Sequence, residues 1–302
     1  MVMEIIEIFA NKEIKIKEPS VACIGFFDGI HKGHQELIEK TKSAAKEKGI
    51  LSACVTFHDD PWHVLFPERE VTNITPPAKR LKKIEAFGIE RCYLLHFDKA
   101  MAGLSKDEFI ELLKSLNIQL VVTGDDFKFA KKNEGDIYYL EQYIPAIICD
   151  MILIDGQKVA SSTIEKAIMD GNMEFVSKCL GSNYEIEGSV IEGNQVGRLI
   201  GFPTANLKMD GSYIIPKIGV YAGSVTYKDI TYKAIINVGH NPTLNYQKNI
   251  SIEAYILDFD LDIYDQHISM GFSEYIRDEL KFNSKEELIK QLNIDVETVR
   301  SK

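Results

Sequence analysis

The stretch "SVACIGFFDGIHKGHQ", Ser20 to Gln35, joins a short apolar run to a glycine-rich turn that carries two histidines. The apolar run is typical of a buried strand, and the segment after the turn has the spacing of an amphipathic helix. In an open parallel sheet, ligands bind at the carboxyl ends of the strands, and the turn after the first strand is a favoured place. The stretch therefore predicts a strand, a ligand-binding turn and a helix.

The first half of the chain alternates apolar runs with helical patterns. Buried strands are predicted for "VACIGFF" (21–27), "LSACVTF" (51–57), "RCYLLHF" (91–97) and "IQLVVTG" (118–124). Helices are predicted for "HQELIEKTKSAAKEKG" (34–49), "PAKRLKKIEAFG" (77–88) and "KDEFIELLKSL" (106–116), and a hairpin across Asp155 and Gly156. This alternation implies right-handed crossovers, so residues 1–181 are predicted to form a doubly wound, Rossmann-like α/β domain with a parallel sheet.

The pattern changes after Gly181. The strand-length segments "YEIEGSVIE", "GVYAGSVTY", "YKAIINVG" and "SIEAYILDF" follow, separated by Gly, Pro, Asn and Asp. They favour an antiparallel barrel or sandwich, and helical spacing returns only at the end, where Ser284 and Glu287 fit a capping box. Residues 183–302 are therefore predicted to form an antiparallel β-barrel or sandwich with a terminal helix, and the boundary is placed near Gly181 to Tyr184.

Composition excludes several classes of protein. The chain has 302 residues, more than one hydrophobic core usually serves, so two domains are expected. A net charge of −10 argues against nucleic acid or an anionic membrane as the main partner. The acidic N-terminal segment does not resemble a signal peptide, and no apolar run is long enough to span a membrane, so a cytoplasmic location is expected. Five cysteines lie singly in apolar runs and are interpreted as reduced core residues.

The two histidines of the turn suggest phosphate chemistry. Glycines at 25, 29 and 33 let the backbone approach a bulky anion, and a helix that starts near His34 would direct its amide groups to the same place. His31 and His34 are three residues apart, which puts both imidazoles on one side of a helical turn. There they could stabilise charge that develops on a phosphorus atom. The alternative is a glycine-rich turn with two surface histidines.

The second half contains a candidate phosphate-binding segment, "GNQVGRLIGFPTANL" (193–207). Its glycines suit a loop that binds phosphates through backbone amides. Thr204 and Asn206 offer oxygen ligands of the kind that Mg²⁺ accepts beside phosphate and water. The alternative is a polar turn that joins two strands.

A candidate general base lies in "SIEAYILDF" (251–259). Alternation with a period of two puts Ser251, Glu253, Tyr255 and Leu257 on one face of this predicted strand. The carboxylate of Glu253 could accept a proton from a hydroxyl that attacks a phosphate. It could equally point into water.

Several motifs carry a family resemblance. "FDGIHKGH" resembles the H-x-G-H signature of the nucleotidyltransferase superfamily, and "GFFDGIHKGHQ" is similar to the N-terminal module of bacterial bifunctional riboflavin kinase/FMN adenylyltransferases, the FAD synthetases. Further similar pieces of that module are "TFHDDP", "GIERCYLLHFDKAMAGLSKDEFI", "VVTGDDFKFA" and "KVASSTIEKAIMDGN". Five pieces of the second half are similar to the kinase module of the same family, namely "GRLIGFPTANL", "PKIGVYAG", "NVGHNPT", "IEAYILDFDLDIYDQ" and "IRDELKFNSKEEL".

The resemblance implies two reactions. The C-terminal module would phosphorylate riboflavin with MgATP to FMN, and the N-terminal module would join FMN to the AMP of a second ATP, which gives FAD and pyrophosphate. It implies a catalytic base at Glu253 and stabilisation of the ATP α-phosphate by His31 and His34. It implies ATP and phosphate contacts at Gly25, Phe26, Asp28, Gly33, Lys158, Ser161, Ser162, Gly197, Arg198, Thr204 and Asn206, with Mg²⁺ at Thr204 and Asn206. It implies flavin contacts at Asp126 and Arg277.

The adenylyltransferase half departs from the family pattern. "TFHDDP" has Asp59 and Asp60 where relatives have proline and histidine, and "DDFKFA" has Lys128 and Ala130 where arginine and glycine are usual. Matching "KVASSTIEK" without gaps puts Glu165 where the family has a phosphate-binding arginine.

A shift of the match by one residue would put Lys166 at the position of that arginine instead. In the favoured match, Asp60 and Glu165 bring negative charge toward the triphosphate. Two alternatives to a bifunctional enzyme therefore stay open. One is a riboflavin kinase whose adenylyltransferase-like domain is weak or inactive, and the other is a flavin-sensing regulatory protein.

Overall fold

A computed structural model describes residues 2–193, 196–240 and 250–302, apart from the side chains of Val196 and Arg198. By its internal contacts the chain divides into two compact units, Met1–Ser161 and Ser162–Lys302. The two helices between Ser161 and Leu180 thus group with the second unit, although the predicted domain boundary places them in the first. Where the chain can be cut into independently folding parts stays a prediction. No helix in the described ranges is long and apolar enough to cross a membrane.

The first unit is built from ten strands and six α-helices within its described residues. The strands are β1 (Glu4–Ile8), β2 (Ser20–Ile24), β3 (Leu51–Phe57), β4 (Arg91–Leu95), β5 (Ile118–Gly124), β6 (Lys128–Phe129), β7 (Gly135–Asp136), β8 (Ala146–Cys149), β9 (Leu153–Ile154) and β10 (Gln157–Lys158). The helices are α1 (Lys32–Lys48), α2 (Trp62–Leu65), α3 (Pro77–Ala86), α4 (Lys99–Gly103), α5 (Lys106–Ser115) and α6 (Ile137–Leu140).

Six of these strands form a parallel sheet in the order β1-β4-β3-β2-β5-β8. The predicted doubly wound domain is confirmed. All five residues of β2 and of β4 are buried, which explains why these strands are continuous apolar runs. The chain order runs outward from β2 through β3 and β4 on one side and continues with β5 on the other. The switch in strand order therefore lies between β2 and β5.

Local signals explain where the helices begin and end. Helix α1 begins at Lys32 rather than at the predicted His34, because Nδ1 of His31 accepts a hydrogen bond from the amide of His34 and caps the helix. It ends at Gly49, whose φ of 67° is left-handed. The predicted hairpin is confirmed between β9 and β10, where Asp155 and Gly156 both have positive φ. All five cysteines are free and buried, as predicted.

The second unit is a closed antiparallel barrel with four helices in its described residues. The helices are α7 (Ser161–Met169), α8 (Met173–Leu180), α9 (Val196–Leu199) and α10 (Lys285–Arg300). The strands are β11 (Tyr184–Ile191), β12 (Thr204–Met209), β13 (Gly219–Tyr227), β14 (Ile230–His240), β15 (Ile250–Ile256) and β16 (His267–Arg277), closed in the order β11-β12-β15-β14-β13-β16. The predicted barrel and terminal helix are confirmed. The predicted capping box at the start of α10 is present in part, because Ser284 accepts a hydrogen bond from the amide of Glu287.

A buried ion pair ties α10 to the barrel. Nη2 of Arg277, the last residue of β16, lies 2.7 Å from Oδ2 of Asp295, and Nε lies 3.1 and 3.2 Å from the two carboxylate oxygens. Asp295 is 1% exposed and also accepts a hydrogen bond from Gln291. Val299 of α10 also belongs to a buried apolar cluster with Val220 and Ile235 of the barrel. Because the carboxylate is so deeply buried, removing its partner leaves a charge without compensation.

We therefore expect Arg277→Met to destabilise the second unit by about 3 kcal/mol, a value typical of a broken buried pair. The expected readout is faster amide hydrogen exchange in α10 and β16, measured by mass spectrometry. Arg300→Met is the matched control, since Arg300 makes a similar two-pronged pair with Asp258 on the surface and should have little effect. Equal effects of the two variants would contradict an anchoring role for Arg277.

Candidate functional site

A cleft of about 270 Å³ opens at the switch in strand order of the first unit. Its floor is formed by the carboxyl ends of β2, β5 and β8 at Ile24, Thr123 and Cys149. Seven of the predicted site residues line it, namely Gly25, His31, Gly33, His34, Asp126, Lys158 and Ser161. The structure thus brings together residues that are far apart in the sequence, at the edge where α/β sheets bind ligands.

The turn between β2 and α1 has an unusual backbone. Phe27 and Ile30 have φ values of 59° and 44° although neither is glycine, and Gly29 has a φ of 79°. Such conformations are costly for large side chains and persist only where the surroundings enforce them. Phe27 and Ile30 are both buried, so core packing compensates the strained backbone. This backbone turns the chain sharply between the strand and the two histidines.

The two imidazoles stack on each other with ring centroids 3.7 Å apart. His31 is buried and His34 is half-buried. Because Nδ1 of His31 accepts the hydrogen bond from the His34 amide, the proton of a neutral His31 ring is on Nε2. Burial lowers the pKa of His31 to about 4, and burial together with the neighbouring His31 and Arg80 holds the pKa of His34 well below its usual range. At neutral pH both rings are therefore uncharged, and His31 is a hydrogen-bond donor at Nε2.

Asp28 lies in the turn itself, and its side chain holds the turn in place. Its two carboxylate oxygens accept hydrogen bonds from the amides of Ile74 and Thr75 at 3.0 and 2.8 Å. Its backbone carbonyl accepts a hydrogen bond from Oγ of Ser161 at 3.2 Å. Desolvation raises the pKa of Asp28 to about 6, although these amides and Arg80 oppose the change. Asp28 is therefore ionised at neutral pH and is protonated in mildly acidic solution.

The rim of the cleft carries both signs of charge. Nζ of Lys158, at the end of β10, contacts a carboxylate oxygen of Asp126 at 2.5 Å. Asp125 and Asp150 also line the cleft. A phosphate bound here would compete with Asp126 for the ammonium group of Lys158.

The residues that depart from the family pattern have separate environments. Asp60 is 5% exposed, and its carboxylate accepts hydrogen bonds from the amide of Trp62 and from Nδ2 of Asn73. It is not among the residues that line the cleft, and whether it faces a bound triphosphate stays a prediction. Exposed Asp59 contacts Nδ1 of His58 at 2.7 Å, and Lys128 contacts Asp136.

Four further residues of the sequence prediction are not among those that line the cleft. Ala130 has a φ of 64°, which explains why glycine is usual there. Phe26 is half-buried in the turn. Ser162 and Glu165 belong to the second unit, and the choice between Glu165 and Lys166 stays a prediction.

Sequence reasoning missed Arg80, which is completely buried under the turn. Its guanidinium lies 4.3 Å from the centre of the Phe26 ring, and Nη2 donates to the carbonyl of Phe57 at 2.6 Å. A signal was present, since Arg80 and Ile84 occupy the same face of α3 and both are buried. A cation at an apolar position of an amphipathic helix points to a buried charge.

The second candidate site lies on the barrel, where β12 pairs with β15. Asn206 is directly opposite Glu253, and Oγ1 of Thr204 donates to Oε2 of Glu253 at 3.2 Å. Ile252, Ala254 and Ile256 are buried in the barrel, whereas Ser251, Glu253 and Tyr255 are half-buried on the other face. The predicted alternation is confirmed for these six residues.

The fourth member of the predicted half-exposed face lies beyond the strand. Leu257 follows the end of β15 and is 4% exposed, which corrects its assignment to that face.

Thr204 and Asn206 line a cavity of about 360 Å³. Its other walls include Gly193, Pro203 and the segment from Phe259 to Tyr264. The sequence predicted a loop or a polar turn over residues 193–207, but the three residues from Thr204 to Asn206 begin strand β12. The strand places the hydroxyl and the carboxamide at alternate positions of one face, where oxygen donors suit a Mg²⁺ that also binds phosphate.

Other predicted kinase residues have different surroundings. The carbonyl of Gly197 accepts hydrogen bonds from the amides of Ile200 and Phe202, which closes a tight turn before β12. The side chain of Arg198 lies outside the described part of the chain. The guanidinium of Arg277 is engaged with Asp295, so its role in flavin binding stays a prediction. Asn237, directly opposite Glu253 on β14, and Glu279, next to Gly239, add polar groups that the sequence did not indicate.

The low pKa of His31 predicts a specific dependence of stability on pH. Because His31 titrates at 6.5 when unfolded and at about 4 when folded, it contributes stability above pH 6.5 that is lost as the pH falls to about 4. Relative to His31→Gln, the parent protein should therefore lose about 3 kcal/mol of unfolding free energy of the first unit between pH 7 and pH 4.

Fluorescence of Trp62, the only tryptophan of the chain, reports urea unfolding of the first unit. The comparison of the two proteins cancels the opposing effect of Asp28, whose raised pKa favours the folded state as the pH falls. His58→Gln, at an exposed histidine of the same unit, is the control. A constant difference between parent and His31→Gln at all pH values would show that His31 is not desolvated.

Comparisons with known proteins agree with this division into two sites. Residues 13–167 match the family model described as FAD synthetase, and residues 180–302 match the model described as riboflavin kinase. Bifunctional riboflavin kinase/FMN adenylyltransferases from Listeria monocytogenes and Bacillus subtilis are both 36% identical to this chain. The alignments cover 93% of this chain and 91% of the Listeria protein, and 91% of this chain and 90% of the Bacillus protein.

A solved structure extends the likeness to the fold of the whole chain. The structure described as a macrolide-efflux protein from Streptococcus pneumoniae superimposes with a TM-score of 0.92 and 34% identity, over 99% of this chain and 100% of that one. The bifunctional protein of Escherichia coli K12 is 28% identical over 306 aligned residues, which cover 99% of this chain. With both family models matched in order along its length, the chain belongs to the bifunctional riboflavin kinase/FMN adenylyltransferase family.

Proposed function

We propose that the chain makes FAD from riboflavin in two steps, each in its own unit. The barrel unit transfers the γ-phosphoryl group of ATP to riboflavin and yields FMN and ADP. The α/β unit transfers the AMP group of a second ATP to FMN and yields FAD and pyrophosphate. The observation that carries the proposal is the presence of both polar sites in one chain that matches the FAD synthetase and the riboflavin kinase models in turn.

In the kinase step, we assign Glu253 as the general base. The attacking ribityl oxygen forms a bond to the γ-phosphorus, the bond from that phosphorus to the bridging oxygen of ADP breaks, and the hydroxyl proton moves to the carboxylate. The hydrogen bond from Thr204 fixes one oxygen of Glu253. The other oxygen is then the better placed acceptor for the substrate proton.

We propose that Mg²⁺ enters with ATP and binds to Thr204 and Asn206. When bound, it neutralises charge on the phosphates during transfer. The short side chains on a paired strand restrict where these oxygen donors can move, which suits a cation that needs nearly octahedral geometry. Most of the remaining ligands would be phosphate oxygens and water.

In the adenylyl step, we assign His31 as the group that stabilises the α-phosphate. A neutral imidazole with its proton on Nε2 donates a hydrogen bond to a phosphate oxygen as the FMN phosphate attacks. Stacking on His34 and the capping bond hold the ring in one orientation. Lys158 supplies positive charge at the same cleft, and the ordered Asp28 turn supports both histidines.

Product analysis separates the three functional hypotheses. The full chain is mixed with riboflavin and MgATP, and the flavins are resolved by chromatography. FAD supports a bifunctional enzyme, FMN alone supports a kinase with an inactive partner domain, and unchanged riboflavin supports a regulatory protein. A cytoplasmic location and the absence of nucleic acid as a partner stay predictions.

Replacing Glu253 should stop phosphoryl transfer without preventing ATP binding. We expect Glu253→Gln to lower the rate of FMN formation by about 10²- to 10⁴-fold, the range for a lost general base. ATP affinity, measured by calorimetry, should be nearly unchanged. The control is Glu274→Gln, at an exposed carboxylate of β16 paired with Lys302. Near-normal turnover of Glu253→Gln would place the base elsewhere.

Glu165 decides how well the adenylyl site binds a triphosphate if our favoured match to the family is right. We expect Glu165→Arg to raise FAD formation from FMN and MgATP, because a bidentate phosphate contact replaces repulsion. The gain should vanish when His31→Ala is added. Glu174→Arg, at an exposed position of α8, controls for a general effect of charge. An unchanged rate for Glu165→Arg would show that Glu165 is not at the position of the family arginine.

A further inference from the structure

Arg80 has no role in either of the two reaction steps proposed above. It is the largest completely buried side chain of the described residues, and its Nε and Nη1 atoms have no hydrogen-bond partner among them. Only Nη2 is bonded, to the carbonyl of Phe57 at the end of β3. The face of the guanidinium lies against the ring of Phe26 in the histidine turn. A buried cation with so few hydrogen bonds requires compensation by nearby negative charge.

That compensation comes from two buried carboxylates. Asp28 and Asp60 are 6% and 5% exposed, and their hydrogen bonds go to backbone amides and to Asn73 rather than to Arg80. Their charges act on the guanidinium through space. Burial lowers the pKa of Arg80, while Asp28 and then Asp60 raise it. In return the charge of Arg80 lowers the pKa of Asp28, which Asp60 raises.

The same cation acts on the catalytic histidines. Burial, His31 and Arg80 together lower the pKa of His34. The charged groups around the turn are therefore Arg80 on α3, Asp28 in the turn itself, Asp59 and Asp60 after β3, and the imidazoles of His31 and His34 at the start of α1. Asp126 and Lys158, which line the cleft, also act on His31. Arg80 differs from Lys158 in being completely buried.

We propose that Arg80 is a positioning residue for adenylyl transfer. From behind the histidine turn its cation holds Phe26 and the end of β3 in place and balances the carboxylates of Asp28 and Asp60. An ionised Asp28 keeps its two amide hydrogen bonds and thereby fixes the turn that presents His31 to the cleft. The inference rests on the proposed adenylyl transfer, and it concerns the charge of Arg80 rather than its bulk.

A direct test follows the titration of Asp28 by NMR of ¹³C-labelled aspartate carboxyl groups in the full chain. Asp28→Asn assigns the signal. The parent should titrate at about 6, and Arg80→Met should titrate about one pH unit higher because an opposite charge has been removed. Arg80→Lys should titrate like the parent, and so should the control Lys82→Met, at an exposed position of the same helix. An unchanged titration in Arg80→Met would overturn the proposal.

The rate of FAD formation gives a second readout. If Asp28 must be ionised, a rise of its pKa from about 6 to about 7 makes Arg80→Met about fivefold slower than the parent at pH 6 and nearly equal at pH 8. A structural defect alone would lower the rate equally at both pH values, and that result would also overturn the proposal. Riboflavin kinase activity of the second unit and Trp62 fluorescence verify folding in the same samples.

The experiments distinguish a failure of this inference from a failure of the proposed adenylyl transfer. If the parent forms no FAD, the proposed adenylyl transfer is wrong, while the titration of Asp28 still decides whether Arg80 sets its charge. If Arg80→Met does not fold, Arg80→Lys carries the test. A folded Arg80→Lys with a displaced Asp28 titration would contradict the assignment of the effect to charge.

Discussion

The hydrogen bond from the His34 amide to Nδ1 of His31 is the interaction on which the adenylyl site depends. It caps α1 and sets where the helix begins, and it leaves the proton of His31 on Nε2. The same bond brings the two rings into a stack. A surface histidine would gain charge near neutral pH, whereas this buried ring remains neutral and keeps a proton on Nε2 that it can donate. One local contact thus couples the start of a helix to the chemistry of the cleft.

The polar site of the barrel is held together by strand pairing rather than by a helix cap. Three neighbouring strands, β12, β15 and β14, bring Asn206, Glu253 and Asn237 into register on one row of the sheet. Backbone hydrogen bonds of the closed barrel hold that row, so no capping interaction is needed. The cleft of the first unit depends on buried polar groups, while the site of the second depends on strand register.

The sequence predicted the buried parallel strands well because their signal is local. Strands β3 and β5 have the predicted bounds, since each is a continuous apolar run between turn residues. Strand β1 was missed because only one of its five residues is buried, as is typical of a sheet edge. Strands β12 and β16 were missed although apolar residues alternate with polar or small ones in "TANLKM" and in "HISMGF". Their place in the barrel comes from long-range pairing, which a single sequence does not reveal.

The site residues with a local sequence signal were also predicted, and those that depend on long-range packing were missed. The histidine turn, Thr204 and Glu253 were indicated by motif and alternation, and the structure brings Thr204 and Glu253 into contact. Arg80 belongs to no sequence motif. Its role depends on the packing of α3 against Phe26, about fifty positions earlier in the chain. Asp59 and Asp60 illustrate the opposite error. They are neighbours in one motif, but one is exposed beside His58 and the other is buried beside Asn73.

The burial of Asp60 limits its electrostatic effect on the cleft. The carboxylate of Asp60 accepts two hydrogen bonds and interacts with the charge of Arg80. It therefore contributes less to the electrostatic field in the cleft than an exposed carboxylate would. Asp125, Asp126 and Asp150 instead line the cleft, together with Lys158. Carboxylates at that rim repel bare phosphate but attract a divalent cation, so they favour ATP that arrives with its metal. Asp60 therefore differs from the carboxylates at the rim of the cleft, and its effect on adenylyl transfer stays a prediction, as does that of Glu165.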